Sequence, residues 1–271
     1  MLFSDTHSPR QAGAFHSMLL ASLVVAFLVG VPIFGVLSNL LVGSTDGVGE
    51  SGASTLAHLW STVLPEYLFN SFVIAAIVAV LGATIGIGCA WLVAAYDFPG
   101  KKMFEWALVL PLAMPAYVVA YAYTDFLQFS GPVQSSLRAL FDWQPHEYWF
   151  PQIRSVGGAG VLFALVLYPY IYLLARNAFL ERSPRMLDAA RTLGVGPWRA
   201  FFTISLPLAR PAAAAGIALA LMETLADYGA VAYFGVPTLT TGIYKSWYAF
   251  SDRTAAAQIA AVLLITVTVL M

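Results

Sequence analysis

Charge is what this chain has least of. Lys and Arg number 13 and Asp and Glu 14 among 271 residues, 10% in all, where soluble domains carry roughly 25%. The hydrophobic share of 60% and the mean hydropathy of +0.78 cannot be hidden in one soluble core without leaving large apolar patches in water, which excludes a soluble enzyme. A net charge of −1 supplies no basic stripe for nucleic acid. The single cysteine, Cys89, sits in an apolar run, so there is no disulfide framework, no CxxC and no thiolate cluster for zinc or iron–sulfur. His7, His16, His58 and His146 lie outside or near the ends of apolar runs, without HExxH spacing, and read as solvated or interfacial. A GxxxxGKS/T phosphate loop is missing too; Gly100 followed by Lys101 and Lys102 lacks the rest of it.

What the chain does have is length of apolar run. About 20 helical residues cross the roughly 30 Å of bilayer hydrocarbon. Runs that meet this occupy residues 18–42, 68–96, 104–127, 156–180 and 211–234, and a further run from 255 is still apolar at Met271. They are rich in Ala, Leu and Val and do not alternate, so the fold class is an all-α, polytopic bundle of about six spans. The last run is short for a full crossing and no polar residue closes it; the reading is a chain cut inside its sixth span, the alternative a helix ending at the membrane edge. The first run is longer than a signal-peptide core of about 7–15 residues and predicts an uncleaved helix. Pro32, Pro111, Pro115 and Pro169 fall inside runs and predict kinked, mutually packed helices. Gly82, Gly86 and Cys89 or Ala90 recur at helix-contact spacing in the second run and predict close packing.

Orientation follows from basic residues. With the N-terminus in the cytoplasm the inner segments hold nine, Arg10, Lys101, Lys102, Arg176, Arg182, Arg185, Arg191, Arg199 and Arg210. The outer segments hold four, Arg138, Arg154, Lys245 and Arg253. The inside excess puts the N-terminus in the cytoplasm and residues 129–155 outside, with Trp143, Tyr148 and Trp149 as interfacial aromatics.

The most basic inner stretch, residues 181–210, has internal grammar. Ser183 can cap a helix whose first residue is Pro184, Gly194 is a natural terminator in the left-handed conformation, and a second helix can restart at Gly196 and Pro197. Met186, Leu187, Ala190 and Leu193 fall on one side of the first helix, Arg185, Asp188 and Arg191 elsewhere, so the element is amphipathic and able to fill a groove on a partner. As a pattern it reads Asp188, Ala189, Ala190, three residues, Gly194, nine residues, Ile204, one residue, Leu206, Pro207.

That pattern resembles the EAA loop of permease subunits of binding-protein-dependent ABC importers of the type I, MetI-like fold, with Asp188 in place of the glutamate. The resemblance implies a short coupling helix that docks on a separate ATP-hydrolysing subunit, present in two copies and carrying ATP and Mg, with no cofactor in this chain. Residues 192–250, continuing to 255–264, and residues 96–123 look like the permeases of ferric iron importers. That group implies a periplasmic ferric-binding protein, a bacterial inner membrane, and two homologous six-span halves, of which this chain would be the first. Permeases for thiamine, sulfate, polyamines or phosphonates share the loop, so these cargoes stay open. On this reading residues 1–17 are a cytoplasmic leader, 18–67 a first helix and outer loop, and 68–271 the permease domain.

Two carboxylates stand inside the fifth run. Glu223 and Asp227 are four apart, hence on one face if the helix is unbroken, and a charge at bilayer depth costs at least about 2.5 kcal/mol unless paired or wetted. With Tyr228 they are either a pathway for a cation, since carboxylates are hard oxygen ligands, or structural, as a hydrogen-bonded cluster or a gate contact to another subunit. A proton-coupled secondary transporter could use them as a relay but leaves the loop spacing unexplained. An intramembrane enzyme fails for want of a nucleophile, base or metal constellation. Asp125 reads as a span boundary, Tyr117, Tyr121 and Tyr123 as an interfacial belt, and Tyr168 and Tyr170, flanking Pro169, as helix contacts.

Overall fold

The computed structural model describes residues 9–40, 52–144, 147–182, 186, 189–190 and 192–271, and every regular element among them is helical. Helix α1 spans Pro9–Ser38 and α2 Gly52–Thr62. Helix α3, Leu64–Ala95, contains a π-helical turn at Val78–Gly82. Helix α4, Lys101–Ala107, leads through a 3-10 turn at Leu110–Ala113 to α5, Ala116–Leu127. Then come α6, Pro132–Phe141, α7, Val156–Arg182, and α8, Pro197–Ala226. Two short helices, α9, Gly229–Phe234, and α10, Leu239–Tyr244, precede α11, Arg253–Leu270. Among the described residues five helices are long and apolar enough to cross a bilayer, six if the bent pair over residues 101–141 is one span. The chain is a multi-pass membrane bundle.

Helix α7 is its axis, the most buried of the long helices, flanked by α3 and α8. Glycine brings the three together. A Cβ on Gly86 of α3 would stand 2.8 Å from Ile171 Cβ, and one on Gly216 of α8 would stand 2.7 Å from Ile171 Cα, so Ile171 is gripped from both sides with no room for a methyl. Phe163, Ile171 and Tyr172 of α7 are fully buried, as are Ile74 and Val78 of α3. The expected packing role of Gly86 is thus realised, with Gly216 as its unforeseen counterpart. Leucine at Gly216 must push α8 off α7, and overpacking of this kind costs about 1–3 kcal/mol or more. Thermal unfolding in detergent is expected to show a clear loss of stability for Gly216→Leu. Gly88→Ala, where a Cβ meets nothing within 4 Å, is expected to behave as wild type; equal melting of the two variants contradicts the packing account.

Two of the expected spans are corrected. Residues 104–127 are not one straight helix: α4 with its 3-10 turn and the segment Ala116–Phe141 meet at 98°. The cause lies in Pro111 and Pro115, which lack the amide hydrogen that would carry the ladder across, and Met114 between them is extended. The fifth run, expected over 211–234, begins earlier and ends sooner. Helix α8 starts at Pro197, continues through Pro211, and stops at Ala226. Its first part accommodates Pro207 through a π-helical segment, Phe201–Ser205, in which the Leu206 amide reaches back to Phe201 O. The second and fourth runs lie close to α3 and α7 as expected.

Candidate functional site

Two places along α8 carry polar chemistry, one at each end. A 30-residue helix is about 45 Å long, so α8 joins them as one rigid rod.

At its N-terminal end lies the segment with the spaced pattern. Gly194 adopts φ 76°, and the Val195 amide donates to Ala190 O at 3.0 Å, the six-to-one bond of a left-handed helix terminator. Gly194 therefore ends its helix as its spacing predicts. Ala189 and Ala190 are helical and Ala190 is buried, whereas Leu193 is 82% exposed, and Met186 and Trp198 are exposed too. Asp188 lies outside the described residues, as do Ser183, Pro184, Arg185, Leu187 and Arg191. Ile204, Leu206 and Pro207 are half-buried in the first turns of α8. The segment is held by aromatic rings: Trp91, near the end of α3, stands 5.3 Å from Trp198 and 4.6 Å from Phe201 between ring centroids. An ion pair of 3.0 Å between Arg176 and Glu105 ties α7 to α4. Among the described residues, Met186, Leu193 and Trp198 offer apolar side chains to the outside, beside a start of α8 anchored on α3.

At the other end the helix breaks. Asp227 stands one turn beyond Glu223 on the same face, its amide donating to Glu223 O at 3.1 Å, and it is the last residue to do so: its ψ of 134° turns the backbone out of the helix. Its Oδ1 accepts the Ala230 amide at 2.8 Å, so the carboxylate caps α9. A capping carboxylate explains why the helix stops here in mid-run. Gly235, φ 69°, ends α9, and the Val236 amide returns to Val231 O at 3.0 Å. Thr238 and Thr241 form a reciprocal capping box that starts α10. Helix α3 pins the interruption: Asn70 Nδ2 donates to Pro237 O at 2.8 Å, and the Leu239 amide donates to Ser71 Oγ at 3.2 Å. Thr240 Oγ1 donates to Asp227 O at 2.8 Å. A broken helix at membrane depth is tolerated when its backbone is satisfied by protein in this way.

Beside the break is a cleft of about 620 Å³ lined by Tyr67, Tyr228, Thr241, Tyr244, Lys245 and Tyr248. Tyr228 stacks on Tyr244 at 3.8 Å between centroids, and Tyr248 lies 5.7 Å beyond. Glu223 is exposed and Asp227 half-buried. The structure thus keeps Glu223, Asp227 and Tyr228 together at one helix end, with Asp227 already engaged in a backbone cap. Among the described residues no group of three His, Cys, Asp or Glu could hold a metal ion.

Asn70, Ser71, Tyr244 and Lys245 went unrecognised in the sequence. Their signal was there: Gly235, Pro237 and the Thr238/Thr241 pair are turn and cap residues that split the apolar run. Alanine at Asp227 is expected to cost about 1 kcal/mol as a lost cap while asparagine, an equally good cap, leaves stability near wild type. Thermal unfolding of the two variants checks this, and equal loss in both contradicts a capping role.

The family model for the binding-protein-dependent transport system inner membrane component matches residues 82–271. The molybdenum transport system permease protein ModB of Escherichia coli (strain K12) is 32% identical over 191 residues, 70% of this chain and 78% of that protein. The Fe(3+)-transport system permease protein FbpB 2 of Haemophilus influenzae is 27% identical over 242 residues, 89% of this chain and 42% of that protein. A bacterial ABC transporter involved in the import of the acidic polysaccharide alginate has a chain of similar fold, with TM-score 0.72, 15% identity, and coverage of 96% of this chain and 94% of that one.

Proposed function

This chain belongs to the family of binding-protein-dependent transport system inner membrane components, and we propose that it is the ferric iron permease of such a system. It is a membrane permease subunit of an ABC importer. The observation that carries the iron reading is reach: similarity to the ferric permease runs over 242 residues of this chain, against 191 for the molybdenum permease. The exposed Glu223 and the half-buried Asp227 agree with it, since hard carboxylate oxygens suit a trivalent cation and repel an oxyanion.

In this account the N-terminus is cytoplasmic, residues 68–271 are the permease domain, and residues 1–67 supply a leader, a first helix and an outer loop. Two copies of an ATP-hydrolysing subunit, holding ATP and Mg, grip the segment from Asp188 to Pro207. A periplasmic ferric-binding protein delivers cargo at the opposite face, and a second permease half completes the pathway. The exposed Met186, Leu193 and Trp198 are the apolar surface such a grip needs. Nucleotide binding then moves the α8 rod, and with it the break at Asp227, between two arrangements of the bundle.

A second reading, molybdenum as cargo, is favoured by the 32% identity to ModB and by Lys245 in the tyrosine cleft. Uptake in cells that lack their other iron and molybdenum importers separates the two. Radiolabelled iron accumulating only when this permease and its partners are expressed supports the ferric reading, whereas accumulation of molybdate alone replaces it.

A further inference from the structure

A second cleft, of about 490 Å³, lies beneath the segment between α5 and α7, where Gln128, Gln134, Tyr148, Gln152 and Arg154 contribute its polar wall. It precedes the first turn of α7, and 27 residues of that helix, about 40 Å, separate it from Arg182 and the coupling segment. The two therefore sit at opposite ends of the bundle. If one end meets the ATP-hydrolysing subunits, the other meets what arrives from outside.

The cleft is held open by a relay of hydrogen bonds. Arg138 donates to Tyr148 Oη at 2.7 Å, Tyr148 donates to Gln134 Oε1 at 2.8 Å, and Gln134 Nε2 donates to Leu127 O at 2.8 Å. Gln134 is buried, so the wall is preorganised.

Two groups are left over. Thr124 is 3% exposed, and its hydroxyl has no hydrogen-bond partner among the described residues. Other helical threonines here turn the hydroxyl back to the carbonyl four residues earlier, as Thr84, Thr224, Thr266 and Thr268 do; Thr124 does not. A buried hydroxyl without a partner is costly, and with no surface open even to water it belongs to the packing behind the wall and meets no incoming group. Among the described residues Arg154 is the only charged one in the cleft wall, and it belongs to neither ion pair found among them. Its guanidinium rests instead over the ring of Tyr233 at 4.8 Å, a weaker interaction than a charge-assisted hydrogen bond. Tyr233 belongs to α9, beside the break at Asp227.

The geometry points to a docking socket for a carboxylate side chain of the soluble binding protein, received by Arg154. This rests on the importer reading above. The socket takes Asp or Glu because its one cation lacks a carboxylate and its wall is otherwise neutral amide, hydroxyl and aromatic. Engagement draws Arg154 off Tyr233, so docking touches the helix that Asp227 caps.

The test measures the affinity of ferric-loaded binding protein for the complete permease complex in nanodiscs. Arg154→Glu and Arg154→Gln are expected to weaken docking about tenfold to a hundredfold, the range of a hydrogen bond to a charged group. Thr124→Val, which changes only a hydroxyl sealed behind the wall, is expected to leave docking near wild type. Added salt is expected to weaken wild-type docking more than docking of Arg154→Gln. The glutamine variant keeps the experiment decisive if the glutamate variant fails to assemble. Docking of Arg154→Gln equal to wild type, with the same salt dependence, overturns the socket and leaves the importer reading intact. Absence of docking by wild type with any loaded binding protein overturns both. Acetate or sulfate alone binding at Arg154 without competing against the binding protein assigns the cleft to a free anion and overturns the socket.

Discussion

Leucine at Gly194 is expected to uncouple ATP hydrolysis from transport while leaving the bundle folded. Gly194 sits at φ 76°, a conformation that costs a residue with a side chain roughly 1–2 kcal/mol. That strain is local, because a Cβ at this position meets nothing within 4 Å. Its effect falls on the turn that sets the angle between the helix ending at Thr192 and the start of α8, where the Val195 amide holds Ala190 O. A misaimed turn presents Leu193 and Met186 wrongly to the ATP-hydrolysing subunit. Expression and thermal stability are therefore expected to stay near wild type, with binding-protein-stimulated ATP hydrolysis and uptake falling tenfold or more. Asparagine, which tolerates the left-handed region, is expected to retain much of the coupling. Asp188→Arg, reversing the charge where the resemblance puts the key contact, is expected to match the leucine variant. Normal coupling in both Gly194→Leu and Asp188→Arg removes the docking role of the segment.

Neutralising the acids at the far end of α8 carries the next largest expected effect. Glu223→Gln combined with Asp227→Asn keeps the shape of both side chains, and asparagine caps a helix as well as aspartate does. The bond from the Ala230 amide thus survives, and only charge is lost. If the carboxylates line the path of a cation, uptake is expected to fall about tenfold or more while the complex still assembles and melts normally. Unchanged uptake assigns Glu223 and Asp227 to structure alone. The single variant Asp227→Ala, which removes cap and charge together, is less informative for transport than for stability.

The spans and the turn at Gly194 were legible in the amino-acid sequence because each rests on a local rule. Long apolar runs are helices in a membrane, and a glycine after an amphipathic stretch ends it, as Gly194 does. What stayed hidden depends on how polar backbone is satisfied at a distance. The bend after Ala113 is the kink that Pro111 and Pro115 predict, and only its size, 98°, escapes an apolar count. The break at Asp227 is stabilised by Asn70 and Ser71, residues more than 150 positions away, so no window along the chain reveals it. Reading Glu223 and Asp227 as neighbours on one helical turn holds, since the Asp227 amide donates to Glu223 O; what that reading missed is that the helix ends there and that the Asp227 carboxylate accepts the Ala230 amide. Family membership fixes the transporter class independently. The close approach of α3, α7 and α8 was half legible: Gly86 stood out by its spacing with Gly82, whereas Gly216 sat among alanines and disclosed its role only against Ile171.

The most direct test of the account reconstitutes the complete permease with its ATP-hydrolysing subunits and records ATP hydrolysis in the presence of binding protein that is empty, ferric-loaded or molybdate-loaded. Stimulation by the ferric-loaded form, lost in Gly194→Leu, is the predicted result; stimulation by the molybdate-loaded form alone, or by none, contradicts it.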